Sequence, residues 1–238
     1  MIPAYKEQAF IADTLQRLHD FLQINGWIDT TEVIVVTADA DDDTQQITAS
    51  KIRIFPHHHH IQPGPRVGKG RDVKAGLTAA KSDQVLFMDA DLATPLEYVK
   101  PAFELLASSG GMVIGVRHLH TMHKTFTRRF SSRLSNTIIR LLIGWGITDS
   151  QCGFKAFDRT TIDTILPRSK VMGWGFDFEF IIIAKVHKIA ISSLHVPKWH
   201  DPKPEGTGLV GDSQFAAMKQ TFKELLRVKQ NRMKGLYK

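Results

Sequence analysis

Gln84-Val85-Leu86-Phe87-Met88-Asp89-Ala90-Asp91 sets an unbroken apolar run directly against two carboxylates spaced one residue apart. A strand with one wet face alternates apolar and polar residues, whereas consecutive apolar residues mark a strand covered on both sides. Glu32-Val-Ile-Val-Val36 reads the same way. Ile52 to Phe55 and Met112 to Val116 are read as further strands. Between them Glu7–Gln23, Asp72–Lys81 and Leu96–Ser108 carry helical spacing, with Phe10, Ile11, Leu15, Leu18, Phe21 and Leu22 on one stripe of the first. Strand and helix in alternation predict an α/β fold: a mostly parallel central sheet flanked by helices on both faces. Such sheets bind ligands beyond the carboxyl ends of their strands. Asp39, Asp89 and Asp91 all fall there.

Two carboxylates at the end of a buried strand can share a hard cation and leave its other positions to phosphate oxygens. Aspartates also end strands simply to cap the next helix. Thr94-Pro95 supplies its own helix start here, which frees Asp91 for a metal.

Beyond Arg117 the character changes. From Arg117 to Thr148 there is no acid, while Arg117, Lys124, Arg128, Arg129, Arg133 and Arg140 accumulate. Phe126 to Ile143 reads as a basic amphipathic helix, and a second basic helix runs from Ser213 to about Arg232 after a Pro/Gly-rich segment. The chain is therefore divided into one domain, 1–211, and a C-terminal helical extension, 212–238. Thr160–Leu166 and Phe178–Lys188 are read as helices and Ile189–Val196 as a strand.

The net charge of +7 and pI near 9.5 suggest an anionic partner. The acids are clustered apart from the basic flank, so a uniformly basic nucleic-acid surface is excluded and no nucleic-acid partner is expected. No run reaches the ~20 apolar residues of a spanning helix, and the opening Ile2-Pro-Ala-Tyr5 is no leader. The single cysteine, Cys152, fits a reducing compartment and is read as a small packing residue. Membrane contact is thus expected to be peripheral, through basic helices on an anionic cytoplasmic face.

Other patterns yield simpler readings. Gly64-Pro-Arg-Val-Gly-Lys-Gly70 lacks the spacing of a P-loop. His57 to His60 is read as a solvated loop, since four adjacent histidines lack the geometry of a defined metal site. Trp145, Trp174 and Trp199 are read as core.

Six motifs in order resemble the family 2 glycosyltransferases of GT-A fold: Ile2-Pro-Ala-Tyr-Lys-Glu7, Gly68-Lys-Gly70, Asp89-Ala-Asp-Leu-Ala-Thr-Pro95, Gly115-Val-Arg117, Asp149-Ser-Gln-Cys-Gly-Phe-Lys155 and Trp174-Gly-Phe-Asp-Phe-Glu179. The wording is most similar to dolichyl-phosphate β-glucosyltransferases and their bacterial polyprenyl-phosphate relatives. The resemblance implies an inverting hexosyltransferase with a nucleotide-sugar donor (UDP-glucose favoured), Mg²⁺ or Mn²⁺, and dolichyl or polyprenyl phosphate as acceptor. It implies that Pro3, Ala4, Tyr5 and Glu7 line the nucleotide pocket, with Lys69 a contact to donor phosphate. Asp89 would face the ribose and Asp91 hold the metal, Asp89 sharing in it. Arg117 would meet phosphate, Asp149 and Gln151 would flank the reaction centre, and Asp177 or Glu179 would lie toward the acceptor, unless Asp177 only caps its helix. Where the family carries Asp-Asp-Gly-Ser this chain has Thr37-Ala-Asp-Ala40, leaving either Asp39 to read the base from a slightly different place or the base loosely selected, and Lys6 replaces the usual Asn. A lipid phosphate needs cations more than a base, and Arg117, Arg128, Arg129 and Arg133 are assigned to it. A hydroxyl acceptor would instead need Asp149 or Asp177 as proton acceptor. A nucleotide-sugar binder with little turnover is the other alternative.

Overall fold

The computed structural model describes residues 1–117, 149–200 and 212–238, with side chains of the last segment described from 222 onward. β1 (Ile2–Ala4), β2 (Val33–Thr37) and β3 (His58–Ile61) form a parallel sheet in the order β1-β2-β3. β4 (Gln84–Met88), β5 (Met112–Arg117), β6 (Phe154–Asp158) and β7 (Ile191–Val196) form a second sheet, ordered β4-β6-β5-β7. The Met88 amide donates to Met1 O at 3.1 Å and the Met1 amino group to Leu86 O at 2.7 Å, joining the two sheets. β6 runs antiparallel to both β4 and β5, and β7 runs parallel to β5, so the sheet is mixed where the sequence predicted mostly parallel pairing.

The apolar runs separate their side chains by strict alternation. Val33, Val35, Leu86 and Met88 point to one face, packed with Leu15, Leu18 and Leu22 of α1 (Ile11–Ile24) and with Val99, Ala102 and Leu106 of α4 (Val99–Ser109). Ile34, Val36, Val85 and Phe87 point to the other, packed with Val73 and Leu77 of α3 (Lys69–Ala79), Ile162 and Ile165 of α5 (Arg159–Arg168), and α6 (Phe176–Val186). Every α6 residue from Phe176 to Ala184 is buried, the charged Asp177 and Glu179 among them. The short α2 (Thr44–Lys51) sits against α1.

Three expectations change. Ile52–Ile54 is a 3-10 turn, and the strand beside β2 is the histidine run, His58–Ile61. Parallel pairing uses backbone groups, and alternation leaves His58 and His60 half-buried, with Thr37 Oγ1 2.7 Å from His60 Nε2. Tertiary pairing therefore overrides a weak β propensity. Second, Thr94-Pro95 does not cap a helix; Asp91 Oδ1 accepts from the Ala93 amide at 2.9 Å, and a 3-10 turn follows at Leu96–Tyr98. Third, the last helix, α7 (Asp212–Met233), packs on the domain: Leu225, Val228 and the following Tyr237 are buried in the core beside α6, while Phe222 and Leu226 stay exposed. The predicted helix at Phe126–Ile143, with Arg128, Arg129, Arg133 and Trp145 nearby, lies outside the described residues. Among the described residues, no helix is long and apolar enough to cross a membrane.

Candidate active site

The carboxyl ends of β1, β2 and β4 bring together segments that are far apart in sequence. The chain leaves β1 through Lys6 (φ 58°) and turns beyond β4 through the buried Leu92 (φ 52°). Left-handed backbone is unfavourable for both residues, and a strained turn at a strand end is a common way to aim side chains into a site. Here the two turns bring Glu7, Asp89 and Asp91 within electrostatic reach of one another.

Glu7 feels this most. Burial, then the Asp91 and Asp89 charges, push its carboxyl up to about 8. Its Oε2 is buried without a hydrogen-bond partner. The Asp91 carboxyl is also raised, by burial first and Asp89 second. Asp89 is answered by Lys69, whose Nζ lies 2.5 Å from Oδ1. Burial works against the Lys69 charge, but Asp89 and Asp177 outweigh it and the ammonium is held more firmly than usual. The same Nζ lies 5.2 Å from the Trp174 ring centroid, and Trp174 is 40% exposed, so that indole borders the site instead of lying in the core.

β6 completes the wall. The Asp89 amide donates to Gly153 O at 3.0 Å, and the Asp89 carboxylate rests against the Gly153 Cα where any side chain would overlap it. That close approach explains the glycine in Asp149-Ser-Gln-Cys-Gly-Phe-Lys155. Two residues on, Lys155 is fully buried and donates to Asp177 Oδ1 and Cys152 O, both at 2.6 Å. Asp177 is therefore an ion-pair partner inside α6 and not a helix cap, its carboxyl raised by burial despite Lys155. Cys152 is buried, and burial pushes its thiol up to about 11, as suits a packing residue.

Arg117, ending β5, grips Asp149 with two bonds, Nε to Oδ2 at 2.6 Å and Nη2 to Oδ1 at 2.8 Å. Its guanidinium lies 5.1 Å from the half-buried Trp199 ring. Burial opposes the Arg117 charge, but the Asp149 bonds win and raise its pKa. Gln151 is exposed, its amide donating to Asp149 Oδ1 at 3.3 Å.

On the other side of the strand ends, Pro3 and Ala4 are buried within β1, and Tyr5 carries the Arg66 guanidinium 4.2 Å from its ring centroid. Arg66 and Arg71 both pair with the buried Asp72. Asp39 is exposed, its amide bonded to Gly64 O at 3.1 Å and its Oδ1 accepting from Gln45 at 3.1 Å. Sequence reasoning missed Arg66, Lys155 and Asp72 as parts of this region. The basic residue inside the Asp149–Lys155 string was the available signal for Lys155.

A divalent cation fits the chemistry of this edge. Burial first, and then the crowding of Glu7, Asp89 and Asp91, raises the Glu7 and Asp91 carboxyls, and Glu7 Oε2 lacks a partner; a bound cation would favour the charged carboxylates and give that oxygen a partner. Among the described residues, no three His, Cys, Asp or Glu side chains converge tightly enough to hold a metal by themselves. Such an ion would depend on ligand oxygens to fill its remaining positions.

The model of glycosyl transferase family 2 matches residues 1–166. A dolichyl-phosphate beta-glucosyltransferase of Trichomonas vaginalis is 27% identical over 213 residues, 84% of this chain and 65% of that protein. The human dolichyl-phosphate beta-glucosyltransferase is 25% identical over 259 residues, covering 100% of this chain and 76% of its own length. The chain thus spans 65% of the first of these relatives. Among solved structures, glucosyl-3-phosphoglycerate synthase of Mycobacterium tuberculosis in complex with Mn²⁺, uridine diphosphate and phosphoglyceric acid superposes with a TM-score of 0.69 at 20% identity, over 96% of this chain and 76% of that one. The fold is therefore of the GT-A type that the motifs predicted.

Proposed function

The chain belongs to glycosyl transferase family 2, and from that premise we propose that it is an inverting glycosyltransferase moving a sugar, glucose favoured, from a UDP-sugar to dolichyl or polyprenyl phosphate. The observation that carries this is the carboxylate edge of Glu7, Asp89 and Asp91 held against Lys69: excess negative charge for a cation beside a fixed ammonium for phosphate.

Pro3, Ala4, Tyr5, Glu7 and Asp39 take the nucleoside, and Lys69 meets the diphosphate. Asp91, with Asp89, would hold Mg²⁺ or Mn²⁺, which when bound neutralises charge growing on the departing diphosphate. An acceptor phosphate oxygen attacks the anomeric carbon from the face opposite the leaving group. That bond forms as the bond to the donor's β-phosphate oxygen breaks, so the configuration inverts and the nucleoside diphosphate leaves. A phosphate monoester, with a second pKa of about 6, is largely dianionic near neutrality and needs no base. It does need cations to approach a second phosphate, and Arg117, with Arg128, Arg129 and Arg133, is assigned to that task.

The carboxylate geometry favours this acceptor over a hydroxyl. Asp149 is doubly bonded to Arg117 and Asp177 is locked to Lys155, so neither stands free to take a proton. Attachment to the membrane would be peripheral, on the anionic cytoplasmic face.

The test is a screen of UDP- and GDP-sugars with a short polyprenyl phosphate and Mn²⁺, reading nucleoside diphosphate release and glycolipid formation. Lipid-dependent release from UDP-glucose is the expected result. Release only with a soluble glycan would move the acceptor to a hydroxyl, and nucleotide binding without turnover with any acceptor would make the chain a binder.

A further inference from the structure

Lys69 owes its position to a segment well removed in sequence. The Gly70 amide donates to Gly173 O at 3.2 Å and the Arg71 amide to Met172 O at 3.0 Å, so the start of α3 is laid on the backbone at 172–173. Trp174, which borders the Lys69 ammonium, belongs to the same segment. Lys69 is therefore only as well placed as residues 169–175 are.

That segment has no regular structure, and a carboxylate grips each end. At its start, the fully buried Glu179 of α6 accepts from Ser169 Oγ at 2.5 Å and from the Lys170 and Val171 amides at 2.9 Å. At its end, Glu224 of α7 accepts from the Gly175 amide at 2.5 Å. The Glu224 carboxylate also lies against Gly173, where a β-carbon would overlap it. Glu179 is oriented in turn by Tyr237, whose hydroxyl donates to Oε1 at 2.7 Å and is itself bonded by Asn231 at 3.2 Å. Burial and then Glu179 raise the Tyr237 pKa, so the hydroxyl remains a donor. Hydrogen bonds to a carboxylate are stronger than neutral ones and hold geometry more tightly.

We propose that Glu224 and Tyr237, in the C-terminal helix and the turn after it, are positioning residues for Lys69. Glu224 acts directly on the 169–175 segment and Tyr237 acts on it through Glu179, neither as a ligand contact. The inference rests on the proposed donor-phosphate role of Lys69 only where it predicts nucleotide binding; its structural part stands separately. The C-terminal helix is then a working part of the donor site, in addition to any surface role.

The test compares Glu224→Ala, Glu224→Gln and Tyr237→Phe in the full chain with two readouts. Amide hydrogen exchange without ligand should quicken about tenfold or more at Gly70 and Arg71 in Glu224→Ala, with β2 amides unchanged. Glu224→Gln keeps an acceptor oxygen and should restore protection. With UDP and Mn²⁺, the Kd should rise about three- to tenfold in Glu224→Ala and Tyr237→Phe, and with UDP-glucose the donor KM should rise while kcat at saturation stays within about twofold. Unchanged exchange at Gly70 and Arg71, or exchange quickened equally across β2, overturns the proposal. If the wild-type chain does not bind UDP with Mn²⁺ while the exchange effect appears, the donor reading fails and the positioning of Lys69 stands.

Discussion

Glu7→Gln should make the protein more stable at alkaline pH, and the structure sets the scale. In the folded chain the Glu7 carboxyl is raised from 4.5 to about 8, chiefly by burial and then by Asp91 and Asp89. In the unfolded chain it ionises at its ordinary value. Between these two values the native state binds more protons than the unfolded state, so stability must fall as pH rises through the window. It is fully present below about 4.5 and flat again above about 8. A gap of about 3.5 units at 1.36 kcal/mol per unit gives an upper limit of about 5 kcal/mol. Relaxation and water entry around the charged form will reduce it, and a slope difference totalling about 2–4 kcal/mol is expected. Glutamine keeps the shape and removes the proton, so its curve should lack this component. The assay is urea unfolding of both proteins across about pH 5 to 8.5, with chelator present to remove divalent ions. Wild type should lose stability relative to Glu7→Gln as pH rises, the two converging toward the acid end. Parallel curves over the whole range would refute the claim that Glu7 holds its proton in a crowded carboxylate edge.

Asp91→Asn preserves the acceptor for the Ala93 amide and deletes a raised carboxylate, so melting temperature without metal should hold or rise while Mn²⁺-dependent transfer falls at least about a hundredfold. Near-normal rates at saturating donor and metal would remove Asp91 from the metal site. Lys155→Met strands the buried Asp177 and should cost about 3–5 kcal/mol in chemical denaturation; adding Asp177→Leu should recover much of it. Gly153→Ala drives a methyl into the Asp89 carboxylate, and calorimetry with UDP and Mn²⁺ should show affinity down about tenfold or more with the fold retained. Truncation after Gly211 removes Leu225, Val228 and Tyr237 from the core, and melting should fall by at least about 10 °C. A truncated chain as stable as the whole would show α7 to be a separable appendage.

The sequence by itself determined the features that depend on near neighbours. Four apolar residues leading into Asp89-Ala-Asp91 announced a doubly covered strand with carboxylates at its open end, because side-chain alternation is a property of any extended backbone. The pattern 84–88 and 32–36 fixed the two faces of the sheet, and the motif order identified the fold. Tertiary structure decided the partners. Lys155 and Asp177 lie 22 residues apart and Tyr237 and Glu179 lie 58 apart, and no local spacing foretells which buried charge will answer which. The histidine run became β3 because β2 offered an open edge, and backbone pairing is nearly indifferent to the side chains it carries. Of the tail's apolar side chains, Leu225 and Val228 turn into the core because α6 leaves apolar surface there to cover, while Phe222 and Leu226 stay exposed. Periodicity reports that a helix has an apolar side; which surface meets that side depends on how the rest of the chain has closed.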